Sequence, residues 1–128
     1  MTITTAAAVV FAAAIAGVIC FQVGLALGAP WGEFAMGGRF RTFPPRMRVA
    51  AVVQAIVLAL VGAVVLSAAG IVVPALTEGR PWLVWVPVAI SAVSLALNLI
   101  TPSARERRIW APIGAVMLIS SLIVALSR

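Results

Sequence analysis

Charge in this chain is confined to a few short clusters, and that confinement constrains the fold more than any other feature. The charged residues fall within 33–48, 78–80 and 105–108, with Arg128 at the end; uncharged runs occupy 1–32, 49–77, 81–104 and 109–127. A helix needs about 20 apolar residues to cross the ~30 Å hydrocarbon core of a bilayer, and every run is long enough. Hydrophobic residues make up 64% of the 128 residues and charged ones 9%, with a mean hydropathy of +1.22. A soluble domain carries about 25% charge to wet its surface. The expectation is therefore an all-α protein, an integral membrane bundle of four transmembrane helices forming one domain over 1–128.

Turn and cap chemistry sets the expected boundaries. The first span runs from about Thr5 to Gly28, where Gly28, Ala29 and Pro30 break the helix. No basic residue precedes it and no cleavage site follows, so it reads as a retained helix and not as a signal peptide. The second span runs from about Met47 to Val73, opened by Pro44-Pro45 and closed by Pro74. The third covers about Trp82 to Ile100, with Pro87 expected to kink it. The fourth covers about Ile109 to Ser127, and its helix is expected to begin earlier because Ser103-Ala-Arg-Glu106 reads as a capping box. Two loops remain on one side, 29–46 and 101–108.

Those loops carry Arg39, Arg41, Arg46, Arg48, Arg105, Arg107 and Arg108, whereas the other face has only Arg80 and Arg128. The positive-inside bias then places both loops in the cytoplasm and both termini outside. Trp31 and Trp110 mark the inner interface, and Trp82 and Trp85 the outer one. The net charge of +6 reads as membrane orientation and not as nucleic-acid binding, because the arginines flank apolar spans. Arginine without lysine, in so Ala- and Val-rich a chain, is the composition of a GC-rich bacterial genome, and the expected location is the bacterial inner membrane. The same arginines would attract anionic lipid headgroups, at about 1 kcal/mol each.

Missing residue types exclude several chemistries. The chain has no His, Lys, Asp or Tyr and a single thiol, Cys20. Ordinary zinc and copper sites lack ligands, an internal disulfide is impossible, and nucleophile–base pairs on His or Lys cannot form. No metal, cofactor or catalytic residue is expected.

Helices in lipid associate through small residues that allow close approach. The second span offers Ala51, Ala55, Ala59, Ala63 and Ser67 at every fourth position. The first has Gly24 and Gly28 with Gly17 further back, the third Ala92 and Ala96, and the fourth Gly114 and Ser121. These fit packing within one bundle, with a homodimer or another membrane-protein partner as the alternative use.

Polar residues inside the spans are few. Gln22, Gln54 and Asn98 lie at a similar depth near the inner ends of their helices, and Ser91, Ser94, Asn98 and Thr101 share one face of the third span. Two accounts compete: the amides bond to one another and pin the bundle, or they line a pocket open to the cytoplasm. The first loop supports the pocket. It is long and apolar, with Gly32, Gly37 and Gly38 free to turn sharply, and Glu33 is placed to pair with Arg39 or with the 105–108 turn. The candidate pocket is therefore Gln22, Glu33, Gln54, Ser94, Asn98 and Thr101.

The stretches GAPWGEFAMGGRF…PPRMRVAA (28–51) and LNLITPSARERRIWAP (97–112) resemble a group of small bacterial four-span membrane proteins that has no assigned function. The resemblance covers essentially the whole chain. It implies a four-span fold distinguished by its two cytoplasmic loops, and it carries no activity.

Three functional classes follow. The first is a structural or accessory membrane protein that binds lipid or a partner through its cytoplasmic face. The second is a minimal dimeric transporter or channel with its polar site at Gln22, Gln54 and Asn98. Small multidrug transporters place a Glu in the first span, where this chain has Gln22; the glycine and arginine motifs of fluoride channels are not evident. The third and weakest is a membrane enzyme using Glu33.

Overall fold

The computed structural model describes residues 2–127. Four α-helices carry the fold: α1 (Ile3–Ala26), α2 (Pro45–Ala68), α3 (Trp85–Ile100) and α4 (Ala104–Leu126). Short 3₁₀ turns lie in the first two connections, two in each, and no strand occurs among the described residues. Counting the turn that leads into α3, all four are long and apolar enough to cross a membrane.

Each helix begins where local chemistry permits. Thr2 caps α1 by accepting the Thr5 amide. Pro45 opens α2 at a position whose N–H has no intrahelical partner. Ser103 caps α4 by accepting the Glu106 amide at 3.2 Å, so α4 begins one turn before its apolar run.

One expected boundary and one expected kink are corrected. The second span does not continue to Val73: α2 ends at Ala68, Gly70 turns left-handed (φ 76°) and Val73 adopts φ 37°. Ser67 holds this reversal, because its Oγ lies 2.8 Å from both the Val73 carbonyl and Thr77 Oγ1 and accepts the Thr77 amide. Pro87 does not kink α3. A 3₁₀ turn (Pro81–Val84) precedes α3, which leaves Pro87 in the first α-helical turn, where no intrahelical N–H bond is required. The proline inside a helix is Pro112 of α4.

The helices pack in the order α2–α1–α4–α3, through extensive α1–α2, α1–α4 and α3–α4 faces; α2 and α3 meet only weakly. The main core joins Phe11 and Ile15 of α1, Leu58, Val61 and Val65 of α2, and Met117 and Val124 of α4, with Val84 sealing one end. A smaller core of Leu25, Phe43 and Ala51 lies at the arginine-rich end, packed against Phe21, Phe40 and Met47.

The small residues act differently from the sequence pattern. On α2, Ala51, Ala55 and Ser67 are buried but Ala59 is exposed. A four-residue step advances about 40° around the helix beyond a full turn, so a ladder of fourth positions drifts off the seam, and the buried line runs through Leu58, Val61 and Val65 instead. Gly24 and Gly28 do not form a helix–helix seam: a Cβ on Gly24 would strike the Trp31 ring, and one on Gly28 would meet the Arg48 guanidinium. Gly17 faces open space. Close helix approach occurs at Gly114, whose added Cβ would lie 3.3 Å from the Leu95 Cα, and at Gly62 beside Ile15.

Candidate functional site

The first loop is folded against the start of α4. Gly32 is buried and donates its amide to the Arg41 carbonyl at 2.8 Å; an added Cβ would sit 1.6 Å from the Phe40 carbonyl oxygen, so only glycine fits. Met36, Gly37 and Gly38 follow with φ of 52°, 71° and 79°. This left-handed run turns the Gly37 amide toward α4, where Glu106 Oε2 accepts it at 3.0 Å.

Three further contacts hold the loop. Trp110 Nε1 donates to the Phe34 carbonyl at 2.7 Å. Ser103 Oγ approaches the Glu33 carbonyl at 3.5 Å. Arg105 pairs with the Glu33 carboxylate, the partner expected on the 105–108 turn. The capping box is thus half formed. Ser103 accepts the Glu106 amide, but the Glu106 carboxylate does not return to the Ser103 amide; it accepts Gly37 and the Thr101 hydroxyl instead (3.1 Å).

Beneath the loop, a cavity of about 360 Å³ opens among the four helices. Its walls are mainly apolar, including Phe21, Leu58 and Met117, with Phe34, Ala35 and Met36 of the loop at one end. Its polar lining is Gln22 from α1, Gln54 from α2, Ser94 and Asn98 from α3, and Glu106 from α4. Gln22 and Asn98 are half-buried, while Gln54 is exposed as well as lining the cavity, which puts it at the mouth.

The three amides do not pin the bundle by bonding to each other. Asn98 donates to the Ser94 carbonyl of its own helix at 2.8 Å, and Gln22 and Gln54 make no hydrogen bond to the described residues. Glu33 and Thr101 stand apart from the cavity: Glu33 pairs with Arg105 above it, and Thr101 is buried against Glu106 and the Ser103 amide. Ser91 is fully buried one turn from Ser94 but does not line the cavity, and its hydroxyl has no hydrogen-bond partner.

The arginines surround the site without entering it. Arg48 Nε donates to the Phe43 carbonyl at 2.8 Å, Arg107 donates to the Thr101 carbonyl at 2.8 Å, and Arg39 lies over the Phe40 ring at 5.8 Å. Arg41, Arg46 and Arg108 are exposed. Trp31 and Trp110 also stand at this end: Phe21 stacks on Trp31 and packs tilted against Trp110, with centroids 6.3 and 4.7 Å apart. No cluster of His, Cys, Asp or Glu that could hold a metal occurs among the described residues.

Glu106 and Trp110 are the site residues that sequence reasoning missed. Each has a sufficient local role in the sequence, in a capping box and in an aromatic belt. The spacing of Ser103 and Glu106 places the carboxylate in the first turn of α4, but nothing local shows that its partner is Gly37. No family model, characterised protein or solved structure matches this chain.

Proposed function

We propose that this is a small multi-pass protein of the bacterial inner membrane that binds a small amphiphilic molecule, a lipid or lipid-like compound. The binding place is the cavity beneath the first loop, on the cytoplasmic side, with both chain termini outside. One observation carries this reading: Gln22, Gln54 and Asn98, on three different helices, line the same cavity and none bonds to another. An amide without a partner in hydrocarbon costs several kcal/mol, whereas a ligand with a polar group would satisfy Gln22 and Gln54 and the side-chain oxygen of Asn98, whose nitrogen already donates to Ser94.

The dimensions suit such a ligand. Pockets for small molecules run from about 300 to 1,000 Å³, mostly apolar with a few convergent polar groups. The weakly packed α2–α3 side has Gln54 on one flank and Ser94 and Asn98 on the other, which supports lateral access from the bilayer. The exposed arginines around the cavity give the same face an affinity for anionic headgroups. Binding is proposed and not catalysis, since the chain has no His or Lys to serve as a base.

Native mass spectrometry from nanodiscs tests the reading. A retained adduct is expected on the wild-type chain and is expected to vanish in a Gln22→Leu, Gln54→Leu variant of unchanged thermal stability. An adduct that survives this variant would overturn the cavity assignment. A dimer that conducts ions or solute in liposomes would replace binding with transport.

A further inference from the structure

We infer that the cavity selects an amphiphile bearing an ammonium group; this rests on reading the cavity as a binding site. The charge in its lining is decisive. The chain has nine arginines and three glutamates, yet among the described residues the lining contains no arginine and one glutamate, Glu106. The described arginines are turned elsewhere: Arg105 to Glu33, Arg107 to the Thr101 carbonyl, Arg48 to the Phe43 carbonyl, and Arg108 to the exterior. The carboxylate is held in place and not consumed. Its Oε2 takes the Gly37 N–H and the Thr101 hydroxyl, and its Oε1 accepts no hydrogen bond from the described residues.

The aromatic lining points the same way. Phe21, Phe34 and Trp110 line the cavity with Glu106, and Trp110 lies one turn beyond Glu106 on α4, so the two share a helix face. A cavity lined by both a carboxylate and aromatic rings recognises ammonium twice, by ion pairing and by attraction of the cation to the rings. The amides of Gln22, Gln54 and Asn98 donate and accept without preferring either charge. An anionic head would stand beside Glu106 and be repelled by it. The apolar walls take the rest of the molecule. An ammonium of this kind can come from an aminophospholipid headgroup or from a free amphiphilic amine.

The test compares decylamine, decanol and decanoate, which share one apolar tail, binding to the full chain in nanodiscs and scored against protein-free nanodiscs. Decylamine is expected to bind about tenfold more tightly than decanol, the usual worth of one charge-assisted contact, with decanoate weakest. Glu106→Gln should bring decylamine to the decanol level, while Glu33→Gln, outside the cavity, should preserve the order. Equal binding of amine and alcohol would overturn the inference and leave an unselective cavity; failure of all three to bind would overturn the cavity reading itself. The comparison on the unmodified chain decides this even where Glu106→Gln does not accumulate. Retention of phosphatidylethanolamine from mixed nanodiscs would support a lipid as the source of the ammonium. Decylamine binding without such retention would support a free amine.

Discussion

Glu106 accepts the backbone amide of Gly37 at 3.0 Å across 69 residues of sequence, and the bond joins the first loop to the first turn of α4. It stabilises an unfavourable backbone. Met36, immediately before Gly37, has φ 52°, a conformation that costs a residue with a Cβ on the order of 1–3 kcal/mol and persists only where its surroundings enforce it. Glu106, Trp110, Ser103 and Arg105 all reach this loop from the same end of α4.

Glu106→Ala removes the acceptor for Gly37 and for the Thr101 hydroxyl. Hydrogen bonds to a charged group contribute about 1.5–3 kcal/mol, so the loop should undock while the four helices persist. Trypsin is expected to cleave after Arg39 and Arg41 several-fold faster than in the wild type. Unchanged cleavage would mean that Glu106 does not hold the loop.

Two glycine substitutions should have opposite effects. Gly32→Ala puts a Cβ 1.6 Å from a backbone oxygen and should lower the detergent melting temperature sharply. Gly17→Ala, in the middle of α1 with nothing within 4 Å, should stabilise by up to about 1 kcal/mol through helix propensity. Equal effects from the two would refute the packed loop.

Two buried serines make a second contrast. Ser67→Ala breaks the contacts that hold residues 67–77 and should cost about 1–3 kcal/mol by leaving the Thr77 hydroxyl without a partner, while the Thr77 amide keeps the Pro74 carbonyl. Ser91 Oγ has no partner to lose, so Ser91→Ala should be neutral or mildly stabilising. Thermal unfolding of both variants in the same detergent separates them, and a large loss at Ser91 would contradict its surroundings.

Glu33→Gln should change stability by less than about 1 kcal/mol, although it breaks the ion pair with Arg105. Both side chains are substantially exposed, at 43% and 68%, and pairs of this kind contribute little once solvent screens them. Chemical unfolding of the variant beside the wild type is sufficient to check this.

The proposed orientation predicts that a phosphatase active only outside the cytoplasm will be active when fused after Arg128 and inactive when inserted between Gly38 and Arg39. The reverse pattern would place the arginine-rich loops outside and remove the cytoplasmic cavity from the proposal.

Much of the fold was legible because its determinants are local. Uncharged runs, Pro45 at a helix start and the Ser103 cap act within a few residues, so the sequence shows where helices form and that four of them suit a bilayer. Gln22, Gln54, Ser94 and Asn98 could be singled out for a similar reason, since polar groups are scarce in such runs. The end of α2 was less legible: Val73 belongs to an uncharged apolar stretch, and the helix stops at Ala68, where Ser67 bonds to Thr77 ten residues on.

The sequence by itself therefore determined the four helices, their polarity and the small set of polar groups within them, through hydropathy, charge clustering and caps. Only the tertiary structure decided what those groups face. Helix rotation carried Ala59 off the seam that Ala51 and Ala55 share, and turned Gln22, Gln54 and Asn98 toward one cavity without bringing them together. The left-handed run at Met36–Gly38 aimed an amide at Glu106 and drew that carboxylate out of its capping box. Periodicity fixes the spacing of side chains along a helix but not how neighbouring helices meet, and it is their meeting that leaves Glu106 as the one charged group among the described residues that line the cavity.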